Sequence, residues 1–195
     1  MRWSSLTGWR HPAGLAEPVT LETRRHPVVE TWTATRLSVP VPGNFAEVVA
    51  RFESTIDSYP ADDFAARVQR GASWDEILEH TESLAPFGFL IYWRKAVSEM
   101  MSLAGDDALC VSYLMGNHTI AERMFRYDPR VMNYAPLRVE ITYEHGGSVL
   151  LTVDQPSSQF GSFGSAEIQG VGVDLDHKLA AVLRAMGADP PAVLG

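Results

Sequence analysis

Residues 137–154 read LRVEITYEHGGSVLLTVD, and this stretch decides the fold. Leu137, Val139, Ile141 and Tyr143 alternate with Arg138, Glu140, Thr142 and Glu144, a period of two that turns one set of side chains to a core and the other to a polar face. Gly146-Gly147 then frees the backbone for a tight turn into Ser148–Asp154, so the two segments pair as an antiparallel hairpin.

Upstream, Ala108–Met115 and Phe87–Arg94 (FGFLIYWR) are short runs, apolar on both faces, which predict buried strands, the second of them central in the sheet. Thr31–Val39 is rich in β-branched residues and predicts a first strand stopped by Pro40 and Pro42. Between these segments the apolar spacing changes to that of helices. Asn44 with Glu47 forms a capping box ahead of Phe45, Val48, Val49, Phe52 and Ile56, and Ser73 with Glu76 forms another ahead of a helix to Leu84. Asp62–Arg70, Ala96–Ala104 and Thr119–Arg126, the last opened by Thr119/Glu122, predict three more helices, and Asp174 opens a final one to Met186. Gln155–Val173, with glycines at 161, 164, 170 and 172, reads as a loop whose Phe160 and Phe163 would close as a lid over an apolar pocket. The fold class is therefore α+β: two layers, a mostly antiparallel sheet, and helices packed on one face. Residues 1–30, with Trp3 and Trp9, form an arm ahead of a single domain over 31–195, in which 60–86 is an acidic helical insertion.

Composition narrows the function. The chain has 195 residues, 46% of them hydrophobic, enough for a core, and its net charge of −8 disfavours nucleic acid as a partner. Its apolar runs fall well short of the roughly 20 residues of a membrane span. Cys110 is the single cysteine, so no internal disulfide forms, and within a buried apolar strand its thiol is expected to be inert. These features, with no secretory leader pattern, predict a soluble cytoplasmic protein.

No strong catalytic motif is present: there is no GxSxG, HExxH or DxDxDG, and the six histidines never stand four apart. Zinc held by protein ligands is accordingly not expected, and no cofactor is implied. His118 follows a strand and begins a helix, where an imidazole tends to stay neutral; it is either an acid/base group or a capping histidine. Arg138 and Glu140 share one strand face, so they are either a surface pair or the floor of a cleft, with Arg138 holding a carboxylate or phosphate. Trp93, Tyr113, Tyr134, Phe160 and Phe163 are candidate pocket residues, although aromatics at strand ends are also ordinary core.

From Phe87 onward the order of features is an FGF strand, a helix, a strand, Gly116-Asn117, a helix, Asp128-Pro129, Pro136 with Leu137-Arg138-Val139, a Gly-Gly hairpin and a strand ending near Pro156. This resembles the domain-of-unknown-function family numbered 302, over about residues 31–187. The resemblance implies a small two-layer α+β domain that pairs as a homodimer. It departs in two places. Pro60 to Pro86 is longer than the family's usual connection, and a Cys-Asn-Pro signature common in the family reads Gly116-Asn117-His118 here, so only Asn117 carries over.

The expectation is a small-molecule-binding domain with its cleft between the sheet and the inserted helices. It would act as a cofactor-independent lyase or isomerase in which His118 or Glu140 moves a proton while Arg138 and Asn117 hold an oxygen. The alternatives are a regulatory or protein-interaction domain using residues 1–30 and the acidic helices, and haem or metal ligation by His118 with Met115 or Tyr113.

Overall fold

The computed structural model describes residues 28–144 and 146–195, so the Trp3/Trp9 arm, His11, His26 and His145 lie outside the described residues. The chain divides into Met1–Thr31 and Trp32–Gly195, and the helices and strands of the described residues belong to the second unit.

Five antiparallel strands form one sheet: β1 (Arg36–Val41), β2 (Leu90–Ala96), β3 (Leu109–Gly116), β4 (Leu137–Tyr143) and β5 (Val149–Asp154), in the order β1-β5-β4-β3-β2. The predicted hairpin is present, with Val139 opposite Val153 and Ile141 opposite Leu151. One face of the sheet is apolar and buried, carrying Val39, Tyr113, Val139, Ile141 and Leu151. Into the same core pack α1 (Phe45–Thr55), α5 (His118–Phe125), α6 (Pro156–Phe160) and α7 (Ala166–Ala185) through Phe52, Met124, Phe160 and Leu179. Helix α1 shows what holds this layer. Asn44 and Glu47 form the expected capping box, worth about 1 kcal/mol. Val48, Phe52 and Ile56, all buried, contribute roughly 2 kcal/mol each, so burial outweighs the cap.

Several expectations are corrected. Gln155–Val173 is not a loop: Ser165 caps α7 nine residues before Asp174, and α6 with a 3₁₀ turn at Gly161–Phe163 occupies most of the rest. Gly172 is a packing residue, because a Cβ there would stand 2.9 Å from the Ser157 Cα atom where α6 crosses α7. A lid built on flexible glycines is therefore absent, and Phe160 is fully buried. Strand β2 is an edge strand, not a central one, and starts only at Leu90, because Gly88 takes a left-handed φ of 78° in a turn that precedes it. Strand β1 runs through Pro40, which the opposite sheet edge tolerates. Helix α5 is capped by Asn117, whose Oδ1 accepts from the Thr119 and Ile120 amides, so Thr119/Glu122 is not its cap. The helix expected over Ala96–Ala104 shrinks to α4 (Ser98–Met101) and a 3₁₀ turn, with no buried side chain. Residues 60–86 form α2 (Ala61–Gln69) and α3 (Trp74–Leu84), the two helices expected there.

Candidate functional site

The side chains of the second face of the sheet are exposed or half-buried on the central strands, and the strand register lays them out in rows. One row runs Trp93, Leu114, Arg138, with Asp154 and Arg36 continuing it one step beyond the Val139–Val153 pair. The next runs Lys95, Ser112, Glu140, Thr152, Ser38. Beside the first row rises the segment Met132–Pro136, which walls a concavity of about 650 Å³ lined also by Leu114, Arg138, Glu140 and Asp154. A shallower hollow of about 460 Å³ continues it to Trp93 and shares Leu114, Arg138 and Glu140.

The charges on this face are unevenly satisfied. Arg36 Nε donates to Asp154 Oδ1 at 2.9 Å. Glu140 accepts from Ser112 Oγ at 2.8 Å and from the Cys110 thiol at 3.6 Å. Burial, with the Glu140 charge acting in the same direction, pushes that thiol up to about 11. Cys110 thus keeps its inert protonated form as expected, but it points to the open face and not into the core. Arg138 makes no ion pair or hydrogen bond among the described residues, and it is exposed. Its guanidinium, with five donors and no acceptor, stands in the groove without a counterpart among the described residues, as does the Lys95 ammonium in the next row.

His118 is in a different place. A register shift between Ile91 and Trp93 makes Tyr92 the extra residue of a β-bulge, and its hydroxyl turns toward the start of α5. The partners define the proton positions. The Thr81 hydroxyl donates to the Ile77 carbonyl at 2.7 Å, so its oxygen accepts from His118 Nε2–H at 2.9 Å. Nδ1 then accepts from the Tyr92 hydroxyl at 2.8 Å, whose oxygen accepts the backbone N–H of His118 at 3.1 Å. Phe64 meets the imidazole edge-on at 4.7 Å, and Tyr59 stacks on both Phe64 and Tyr92. Burial holds the His118 pKa below its usual value and pushes the Tyr92 phenol up to about 12. The result is a neutral imidazole with both nitrogens engaged, which fastens α3 and the residues around α2 to the β2 edge. Outside it, α2 and α3 leave an apolar groove of about 810 Å³ that includes Val68 and Trp74.

The expected site residues are thus divided. Arg138, Glu140, Trp93 and Tyr134 border the open-face groove. Phe163 lies beside Tyr134, with ring centroids 5.9 Å apart. Tyr113 is fully buried on the core side, donating to Glu53 at 2.8 Å, and Met115 is buried there too, so neither lies with His118 for haem or metal ligation. His118 and Asn117 line neither open-face hollow. No residue of α2 or α3 covers the Arg138 face, so the cleft is not roofed by the insertion. Apart from Tyr134, the wall at Met132–Pro136 was not singled out by the sequence, nor were Ser112 and Leu114, which only strand register could have placed.

A family profile described as "Domain of unknown function DUF302" matches residues 64–186. The chain belongs to the DUF302 family. The matched range starts inside α2, so most of the segment read as an insertion lies within it. A solved DUF302 structure, that of an uncharacterized conserved protein from Bacillus stearothermophilus, superposes with a TM-score of 0.56 at 18% identity, covering 77% of this chain and 97% of that one. At that identity the likeness speaks for the DUF302 fold alone. No curated protein matches the chain. Among the described residues no helix is long and apolar enough to cross a membrane, and no group of three His, Cys, Asp or Glu stands together as a metal site.

Proposed function

We propose that this DUF302 domain binds a small, partly apolar organic anion in the open-face groove, with Arg138 holding the acid group. The observation that carries this reading is the Arg138 guanidinium, unpaired among the described residues, in a concavity of about 650 Å³ on a chain whose net charge is −8. A cation kept without a partner on an acidic protein favours an external anion, and the planar fork of arginine suits a carboxylate or phosphate in two-point contact. Glu140, oriented by Ser112 and Cys110, is the neighbouring group placed to take or return a proton in a cofactor-independent isomerase or lyase step. His118, with both nitrogens engaged in another pocket, is better read as structural. A single cysteine agrees with a reducing, cytoplasmic setting.

A second reading has the same face covered by another copy of the chain, forming a homodimer. Its support is the uncovered sheet face bearing both charge signs and Trp93, which is 46% exposed. Calorimetric titration with butyrate and inorganic phosphate, alongside the solution mass, separates the two. The ligand reading expects saturable binding that Arg138→Met abolishes without changing the mass. No binding by the wild-type chain, with a dimer that Trp93→Glu dissociates, would overturn it in favour of the second.

A further inference from the structure

Trp93 is exposed in the same row as Arg138, with Leu114 between them. Neighbouring strands lie about 4.8 Å apart, so the indole and the guanidinium are offset by about 10 Å across the sheet. The Met132–Pro136 wall flanks the Arg138 end, and the two hollows run together through Leu114, Arg138 and Glu140. From this arrangement we infer that the groove takes an aromatic acid: a carboxylate or phosphate on Arg138, a short apolar linker over Leu114, and a flat ring against Trp93.

The inference rests on the anion reading above and adds the chemistry of the other end. Three features point to a ring and not to a longer aliphatic chain or a second charge. An edge-strand tryptophan offers a broad π-face with little conformational entropy to lose, and a flat partner uses that face best. Leu114 supplies an apolar patch one side chain wide, which suits a linker of two or three carbons. The Trp93–Leu114 strip itself holds no charge, the charged Lys95 and Glu140 standing one row away. The exposed indole also supplies a signal, because a ring stacked on it changes its fluorescence.

The test compares 3-phenylpropionate with butyrate and inorganic phosphate, by calorimetry and tryptophan emission, on the full-length chain. The expected result is that 3-phenylpropionate binds at least about fivefold more tightly than butyrate, an ordinary increment for one aromatic contact. Trp93→Ala should erase that preference and the emission change while leaving butyrate and phosphate affinities as they were. Trp93→Tyr, which keeps a flat ring, should restore most of the preference. Equal affinity of the aromatic and aliphatic acids in the wild type, both still lost in Arg138→Met, would overturn the aromatic assignment and leave the anion site standing. Failure of all three probes to bind would overturn both.

Discussion

His118 and Arg138 are both polar side chains that the sequence singles out, and the fold treats them in opposite ways. The imidazole is half-buried, ringed by Tyr59, Phe64 and Tyr92, with a partner on each nitrogen. The guanidinium is exposed at the foot of a concavity, with no partner among the described residues. A buried polar group has to be satisfied by the protein because water cannot reach it, so saturation marks a structural role. An exposed cation left unpaired inside a concavity marks a place where something else can bind. Chemical type alone would rank the two the other way, since histidine is the residue suited to proton transfer near neutral pH.

The largest expected effect tests this division directly. His118→Ala removes the acceptor for Tyr92 and the donor to Thr81, and opens a void among three rings. It should cost about 2–4 kcal/mol in urea unfolding and leave butyrate affinity unchanged once the protein is folded. Arg138→Met should change stability by no more than about 0.5 kcal/mol and abolish the binding. If Arg138→Met were the more destabilising of the two, the contrast would collapse.

How much of this was legible beforehand depends on whether the information is local. The β4–β5 hairpin and the Asn44/Glu47 and Ser73/Glu76 caps are written in contiguous residues, and they are present. Residues 155–173 misled for a reason that local reading cannot see. Glycine in a helix usually signals a break, but Gly172 is small so that α6 can pass within contact of α7. Asn117 and Thr119 are both good caps, and only the backbone path decides between them. The site divides in the same manner. Arg138 and Glu140 follow from alternation within one strand, whereas the Trp93–Leu114–Arg138 row depends on the register of three strands and on a bulge at Tyr92. Phe160 and Tyr113 carried no local mark separating a pocket aromatic from a core one.

A smaller effect sharpens the His118 side of the contrast. Its folded pKa lies below the unfolded value of about 6.5, so near that pH the unfolded chain binds more protons than the folded one. Stability is therefore full above about pH 6.5 and falls as the pH drops below it. Asp128 and Glu53 are held below the usual carboxylate range, Asp128 chiefly by Arg130; at Glu53 burial works against ionisation, but bonds from Arg94 and Tyr113 outweigh it. Their contributions disappear only lower, as the pH falls below about 4.5. Chemical denaturation across pH should show both phases, and His118→Gln should flatten the upper one alone. An upper phase that survives the substitution would assign it to another group.

The smallest effect sharpens the Arg138 side, because it asks why that cation is free when a carboxylate stands beside it. Asp154 lies next to Arg138 across the β4–β5 ladder, yet its Oδ1 is taken by Arg36, the outermost residue of the row. Arg36 thus has little consequence for stability, as befits an exposed pair, and a definite one for the site, since it keeps Asp154 from neutralising Arg138. Replacing Arg36 by Met should leave the melting temperature unchanged and release Asp154 to turn inward, weakening butyrate binding by about two- to fivefold, the range of an exposed ion pair. Asp154→Asn should do the reverse, because it removes the competing charge. The two variants must move the affinity in opposite directions and by less as salt is raised, since screening acts on both alike. Equal affinities in all three proteins would mean that Arg138 is free through strand geometry alone and owes nothing to the pairing at the sheet's edge.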